Sequence, residues 1–356
     1  MTLMGKTKKG GQMKTAENRF SLGLDIGFGD VKLVVGVTQE NGVRRKVIRR
    51  KFPTAISYAR DGIIGDLGSD EKRYEFNGRE YFVGVPALKC RDVFSTRDID
   101  FLITHSPLLA FAAVEKNFDV HPHVHKSENM GISKKSLCLG MPIAHFHSKR
   151  AQLMDIMKKI RVSDTPLSFE TIDIRAQGQG IFFDFVFDEI GQPVTDHLFM
   201  NILVVDIGFN TVDILGVLGG RPSREWSGMI ERAGISRIGE QVGAYLQREF
   251  NFDLPEQAIK DVLRKKEIAL YGAVKDISWV IRKASAEYAE WLVQEIRSKW
   301  EGFLKTADRL ILAGGGAYYV ADVFHSVYPK GFLHVPEEPE YSNARGFQKY
   351  LEADHD

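Results

Sequence analysis

The chain has 356 residues, more than one ordinary core requires at ~100–200 residues per domain, so two domains or one large α/β barrel are expected. Its 44% hydrophobic and 27% charged residues exclude global disorder, and 48 basic against 47 acidic side chains give no general reason to expect nucleic acid as a direct ligand. Two cysteines, Cys90 and Cys138, rule out a disulfide scaffold; with no run near the ~18 apolar residues of a membrane span and no apolar leader, they point to the cytoplasm.

Residues 1–18 carry Lys6, Lys8, Lys9 and Lys14 against Glu17 and read as a flexible tail. Order is expected from Phe20. SLGLDIG and VKLVVGV flank Gly27-Phe28-Gly29-Asp30, a glycine-permitted hairpin turn. Strands are expected at 43–49 and 80–84, with Asn77-Gly78 as a second hairpin turn. Residues 100–118 have helical spacing, with Pro107 marking a break or a new start. SLCLGMP, 136–142, is a short buried strand. Residues 148–160 form an amphipathic helix with Leu153, Ile156, Met157 and Ile160 on one face.

TIDIR opens as a strand and runs into a glycine-punctuated aromatic stretch. NILVVDIG, 201–208, is the most continuous strand, and GVLGGRPSREW supplies its hairpin partner. Helix is expected from Ile238 to Phe250 and from Pro255 to Trp300, where Trp279, Ile281, Tyr288, Trp291, Leu292 and Ile296 form a stripe. DRLILAGGGAYY reads as strand, glycine turn and helix, and NARGFQKYLEA as a last helix.

The two strongest strands repeat each other. LGLDIGFGDVKL (22–33) and LVVDIGFNTVDI (203–214) match at six of twelve positions, 181 residues apart. The chain is therefore expected to consist of two halves, each opening with an equivalent hairpin. In each hairpin an Asp ends an apolar strand and a glycine follows two residues later. Such a turn exposes backbone N–H groups that bind phosphate oxygens. Asp25 and Asp206 beside the turns suit a hydrated Mg²⁺, which uses few carboxylates and keeps several waters. Lys32 adds a point charge for phosphate. Gly314-Gly315-Gly316 at a strand end lets backbone approach a ligand closely. Neither a dinucleotide fingerprint nor a P-loop is present.

These residues resemble the motifs of the actin, sugar-kinase and heat-shock-chaperone superfamily. Asp25-Ile26-Gly27-Phe28-Gly29-Asp30-Val31-Lys32 is similar to its phosphate-1 motif, and Asp206-Ile207-Gly208-Phe209-Asn210-Thr211-Val212-Asp213 to phosphate-2. Leu312-Ala313-Gly314-Gly315-Gly316-Ala317 resembles the adenosine motif. Ile174-Arg175-Ala176-Gln177 and Asn343-Ala344-Arg345-Gly346-Phe347 resemble the two connecting segments. The set occurs in the family's order over residues 22–350 and is most similar to actin-like proteins of the ParM/StbA type.

The resemblance implies an α/β actin-like ATPase fold: two ribonuclease-H-like domains closing on Mg-ATP or Mg-GTP. The expected division is 19–195 plus 336–356 as domain I and 196–335 as domain II. The resemblance also implies filament assembly, ATP hydrolysis, and plasmid partitioning through an adaptor that holds the DNA. Lys32 would contact the β- and γ-phosphates. Asp25 and Asp206 would hold the hydrated Mg²⁺, and Asp206 could also orient water. Backbone at Gly27, Phe28, Gly29, Gly208, Phe209, Asn210 and Thr211 would cradle the phosphates, with Gly314, Gly315 and Gly316 beside the adenosine. Gln177 would position the attacking water, in preference to Gln179. Lys266 and Glu267 align poorly with helix residues that reach the nucleotide sugar, and read better as a solvated helix face.

His121, His123 and His125 would share one face of a strand. No further ligand pattern accompanies them, and a polar loop is the better reading. A small-molecule, sugar-type kinase of the same fold is the alternative function. It needs a general base near the first hairpins, and Asp98, Asp100 and Asp184 stand in no kinase motif. A chaperone-like ATP-gated binding protein would carry a further substrate domain, for which the last helix leaves no room.

Overall fold

Asp25 and Lys32 face each other across a hairpin, and so do Asp206 and Asp213. The 181-residue offset of the sequence repeat is thus an offset between equivalent ladder positions. The computed structural model describes residues 18–39, 45–59, 71–94, 98–118, 134–254 and 256–353. The Lys-rich stretch 1–17 and the His121–His125 cluster lie outside the described residues.

The first half begins with β1 (Asn18–Ile26), β2 (Asp30–Gln39) and β3 (Arg45–Pro53). A small sheet follows, of β4 (Ile56–Tyr58), β5 (Tyr74–Phe76) and β6 (Arg79–Val83). Asn77 and Gly78, both at positive φ, form the expected tight turn. Next come α1 (Val85–Leu88) and α2 (Ile99–Phe118), the latter continuous through Pro107. β7 (Lys134–Met141) precedes α3 (Phe146–Met157) and a short hairpin, β8 (Ile160–Val162) with β9 (Thr165–Leu167). The helix expected over 148–160 therefore ends earlier, and Ile160 is a buried strand residue. β10 (Thr171–Ala176) leads into α4 (Gln179–Val186).

The second half begins with β11 (Ile202–Ile207), β12 (Val212–Leu218) and β13 (Arg221–Ile230). α5 (Ser236–Phe250) and α6 (Glu256–Lys265) follow. The hairpin β14 (Glu267–Leu270) with β15 (Ala273–Asp276) precedes α7 (Ser278–Leu304). β16 (Arg309–Ala313), α8 (Ala317–Val327), β17 (Leu333–His334) and α9 (Ser342–Ala353) complete the chain. The helix expected from Pro255 to Trp300 is thus interrupted. Lys266 ends α6 at φ 62°, and Tyr271-Gly272, both at positive φ, make the hairpin turn.

The two five-stranded sheets have the same plan. Their orders are β3-β2-β1-β7-β10 and β13-β12-β11-β16-β17, each with three antiparallel strands and two parallel additions. β11 is buried at every position because both faces are covered. Ile202 and Val204 pack with Ile181, Phe182 and Val186 of α4. Leu203, Val205 and Ile207 face the other way, onto the core that includes α5 and α7. In β1, Leu22, Leu24 and Ile26 likewise share a core with α2.

The opposite face of the first sheet receives α9. Side chains at Gly23 and Gly36 would overlap the Ala344 carbonyl and the side chains of Gln348 and Glu352, so bare backbone is what admits the helix. α9 lies between that sheet and α4. At their crossing, a Cβ on Gly346 would overlap the Gly180 carbonyl. Beside it Asp184 accepts two bonds from Arg345, at 2.7 and 2.6 Å, and pairs with Lys349 at 2.9 Å. Lys349 also donates to the carbonyls of Asp184 and Phe187, both at 3.0 Å, and so caps the C-terminal end of α4. The aromatic stretch after residue 178, to which periodicity assigns no element, is the helix on which this joint is built.

Asp184→Ala would leave two buried cations without their carboxylate and is expected to cost ~3–5 kcal/mol. Denaturant unfolding at pH 7 measures it. A loss below ~1 kcal/mol would show that the cluster does not hold α4 to α9.

Candidate functional site

Both repeated hairpins close with the same bond. Gly27 N donates to Asp30 O at 3.1 Å, and Gly208 N to Thr211 O at 2.9 Å. Thr54 Oγ1 donates to Gly27 O at 2.7 Å and pins the first turn to the end of β3. Phe28 packs against the first core and Phe209 against the second, so each matched Phe anchors its loop. The second loop is held further by Gly234 N and Ser236 N, which donate to the carbonyls of Asn210 and Phe209. The loops face one another: a Cβ on Gly29 would lie 2.9 Å from Phe209 Cβ.

Inside the first hairpin, Lys32 Nζ donates to Asp25 Oδ2 at 2.9 Å. Burial opposes the ammonium charge, but Asp25, Asp30 and Asp206 together outweigh it and raise the Lys32 pKa. Asp25 Oδ1 accepts from Gln177 Nε2 at 2.7 Å. Gln177 is 7% exposed and stands where β10 ends, beside the parallel strand β7. Gln179 is engaged elsewhere, its Oε1 accepting from Ala176 N at 2.9 Å and closing the turn into α4. Gln177 is thus brought to the carboxylates, and Gln179 is bonded to its own turn.

Asp206 is 8% exposed, and its Oδ2 accepts from Asn343 Nδ2 at 2.7 Å. Burial and the Asp25 charge push its pKa up to about 6, against Lys32 and Asn343, which favour the ionised form. Across the ladder, burial and the Asp206 charge push Asp213 up to about 7. The Thr211 hydroxyl, 3.2 Å from Asp213 Oδ2, and the Ile143 backbone offset this only in part. Asp213 occupies the repeat position that holds Lys32 in the first half, so the site combines one half-buried lysine with three buried aspartates.

The glycine run follows β16. Gly314, at φ 80°, has no room for a side chain because a Cβ would overlap Asp206 Oδ1. Its N–H donates to Pro339 O at 3.0 Å, and Gly316 N donates to Ile207 O at 2.9 Å. Gly314 and Gly316 are therefore small because protein packs on them. Gly315 has open space, its nearest neighbour being Glu340 Cβ at 3.9 Å.

Two residues here carry no site signal in the sequence. Asn343 stands there only as part of a connecting helix. Lys260 of α6 reaches across from the second half: its Nζ donates to Gly29 O and lies 3.2 Å from Asp30 Oδ1 and 5.1 Å from the centre of the Phe209 ring. Burial lowers its pKa, with Lys32 and Lys51 adding to the effect and Asp30 opposing it. Lys266 and Glu267, considered as sugar contacts on a helix, instead lie at the end of α6 and the start of β14.

Among the described residues no group of three or more His, Cys, Asp or Glu side chains is arranged to hold a metal directly. Paired buried carboxylates, one with its pKa raised by burial and by its neighbour, fit a hydrated cation such as Mg²⁺ rather than a fully coordinated one. No described helix is long and apolar enough to cross a membrane.

Comparison with known proteins bears on the family and the fold. The family described as Actin like proteins N terminal domain matches residues 23–181, and Archaeal actin homologue MreB-like, C-terminal, matches residues 204–326. A 15-stranded ParM filament structure from Clostridium botulinum is similar at TM-score 0.69 and 19% identity, over 94% of this chain and 99% of that one. An archaeal actin homologue in complex with ADP is similar at TM-score 0.68 and 18% identity, over 93% and 98%. Bacillus thuringiensis ParM with AMPPNP is similar at TM-score 0.63 and 16% identity, over 93% and 98%. At these identities the likeness is one of fold. A search of curated proteins finds no significant match.

Asp206 and Asp213 keep protons in the folded state at pH values where an unfolded Asp, near 3.8, has lost them. Between pH ~4 and ~7 the folded state therefore binds more protons, and these groups' contribution to stability falls as pH rises. Without nucleotide or divalent cation, Asp213→Asn is expected to gain thermal stability relative to the unmodified protein on going from pH 4.5 to 7.5. A difference in unfolding midpoint that stays constant across that range would reject the assignment.

Proposed function

The chain belongs to the actin-like superfamily, and we propose that it is a ParM-type ATPase that binds Mg-ATP between its halves, assembles into filaments and hydrolyses the nucleotide. The observation that carries this reading is the facing pair of matched hairpins. One presents Asp25 and Lys32 and the other Asp206, with a glycine run beside them. Phosphate, a hydrated cation and an adenosine each find a chemically suitable neighbour in that arrangement.

Each side chain has a definable role. Lys32, ionised through its aspartate neighbours, is a point charge for the β- and γ-phosphates. Asp25 and Asp206 hold hydrated Mg²⁺, which when bound neutralises phosphate charge. Gln177 donates through Nε2 to Asp25, and its Oε1 is the group that accepts from the attacking water. Phosphoryl transfer needs little covalent work from the protein, so holding that water in line is what Gln177 contributes. Lys260, from the opposite half, adds positive charge at the mouth of the first loop.

Filament formation is supported by likeness to a ParM filament structure, and nucleotide binding by likeness to structures with ADP and AMPPNP. The ParM likeness is also the support for plasmid DNA segregation as the cellular role, with an adaptor protein rather than this chain holding the DNA. The near-zero net charge fits that division of labour.

Pelleting and light scattering with Mg-ATP, alongside a phosphate-transfer assay on small hydroxyl compounds, test the reading. Assembly with ATP that fails with ADP is the expected result. Phosphorylation of a small molecule without sedimentable polymer would replace it with the kinase reading. Gln177→Ala is expected to slow hydrolysis by ~10²-fold, with nucleotide still bound and polymers longer-lived. Unchanged turnover would show that another group positions the water.

A further inference from the structure

Asn343 sits at the start of α9, which packs on the first sheet, yet its amide serves the second half. It is 4% exposed and both ends of the amide are engaged. Its Oδ1 accepts from Gly178 N at 2.9 Å, and its Nδ2 donates to Asp206 Oδ2 at 2.7 Å. Gly178 adopts φ 85°, a backbone state that glycine enters without strain. The next glycine, Gly180, lets the Asn343 backbone approach, since a Cβ there would come within 2.7 Å of Asn343 Cα.

Asp206 is held from both sides. Asn343 fixes Oδ2, and Gly314 closes against Oδ1 with no space for a side chain. A carboxylate gripped in this way has one orientation in which to receive a hydrated cation. Asp25 has a parallel arrangement, with Gln177 on one oxygen and Lys32 on the other. Gln177 and Gly178 are consecutive, so the two amide–carboxylate pairs are joined through the segment between β10 and α4.

We propose that Asn343 is a positioning residue: it sets the orientation of Asp206 toward the nucleotide-bound cation from the point where α4 and α9 cross. This inference rests on the nucleotide-binding reading above. It goes beyond that reading in assigning the cation's second carboxylate a dedicated holder on the other half of the molecule. An amide suits the position because it is neutral and both accepts and donates. A carboxylate there would repel Asp206, and an apolar side chain would leave Gly178 N and Asp206 Oδ2 unmet.

The test is binding rather than turnover. The dissociation constant of ADP is measured with Mg²⁺ and with EDTA, for the unmodified protein, Asn343→Ala, Asp206→Asn and the double variant, each checked by thermal unfolding. For Asn343→Ala the strengthening of ADP binding by Mg²⁺ is expected to shrink by ~10-fold or more, the usual effect of removing a group that orients a metal ligand. Its EDTA value is expected to stay within about twofold, and the double variant to match Asp206→Asn alone. A purely structural role would instead weaken ADP equally with and without Mg²⁺, and would add to Asp206→Asn; either result overturns the proposal. If Asn343→Ala does not fold, Asn343→Ser, which keeps a hydroxyl near Gly178 N, takes its place with the same expected and overturning results. Failure of the unmodified protein to bind any nucleotide would reject the functional reading and this inference with it. Binding whose Mg²⁺ dependence is unmoved in the variant would reject only the role of Asn343.

Discussion

A buried carboxylate between two buried cations joins the halves of this protein. Asp184, Arg345 and Lys349 lie where α4, packed on the second sheet, meets α9, packed on the first. Burying three charges is costly, and the cost is offset here because hydrogen bonds meet each of them. Arg345 forks onto both Asp184 oxygens, and Lys349 adds two carbonyls that α4 leaves open at its end. An apolar cluster would hold the two helices together without this directional pairing. With it, Gly180 and Gly346 come into backbone contact in one register, and that register sets where Gly178 and Asn343 stand.

The site follows from this joint and from duplication. Two copies of one hairpin bring two Asp–Gly turns, and with them two carboxylates, together. The second member of each ladder pair breaks the symmetry: Lys32 answers Asp25, whereas Asp213 adds a carboxyl beside Asp206. One half is therefore internally neutralised and the other is short of positive charge, which adds to the effect of burial in raising the Asp206 and Asp213 pKa values. A cation bound with its nucleotide would supply what the second half lacks.

Much of this is legible in the residues. The repeat places both hairpins, and NARGF at the end of the chain identifies the helix that returns to the first sheet. The order of the glycine-bearing motifs leads to the fold. Other parts are hidden for physical reasons. α4 has no clean amphipathic stripe because it is covered on two sides, by the second sheet and by α9, so its aromatic run lacks the expected period. The β14–β15 hairpin turns on Tyr271-Gly272, a weaker turn signal than the Asn-Gly that reveals β5 and β6. Lys260 and Asn343 meet their partners 230 and 137 positions away, and no local pattern encodes a contact of that span.

The glycine crossing has a mechanical consequence. Gly346 touches Gly180 backbone to backbone, so α4 and α9 have a natural fulcrum there. Asn343 is three residues, or about 4.5 Å of helix rise, from that point. Any rocking of one half on the other that carries the outer strands through a wide arc moves the Asn343 amide by only a small part of it. Rotation about that point would displace the Asn343 amide, and the Asp206 carboxylate bonded to it, far less than the outer strands.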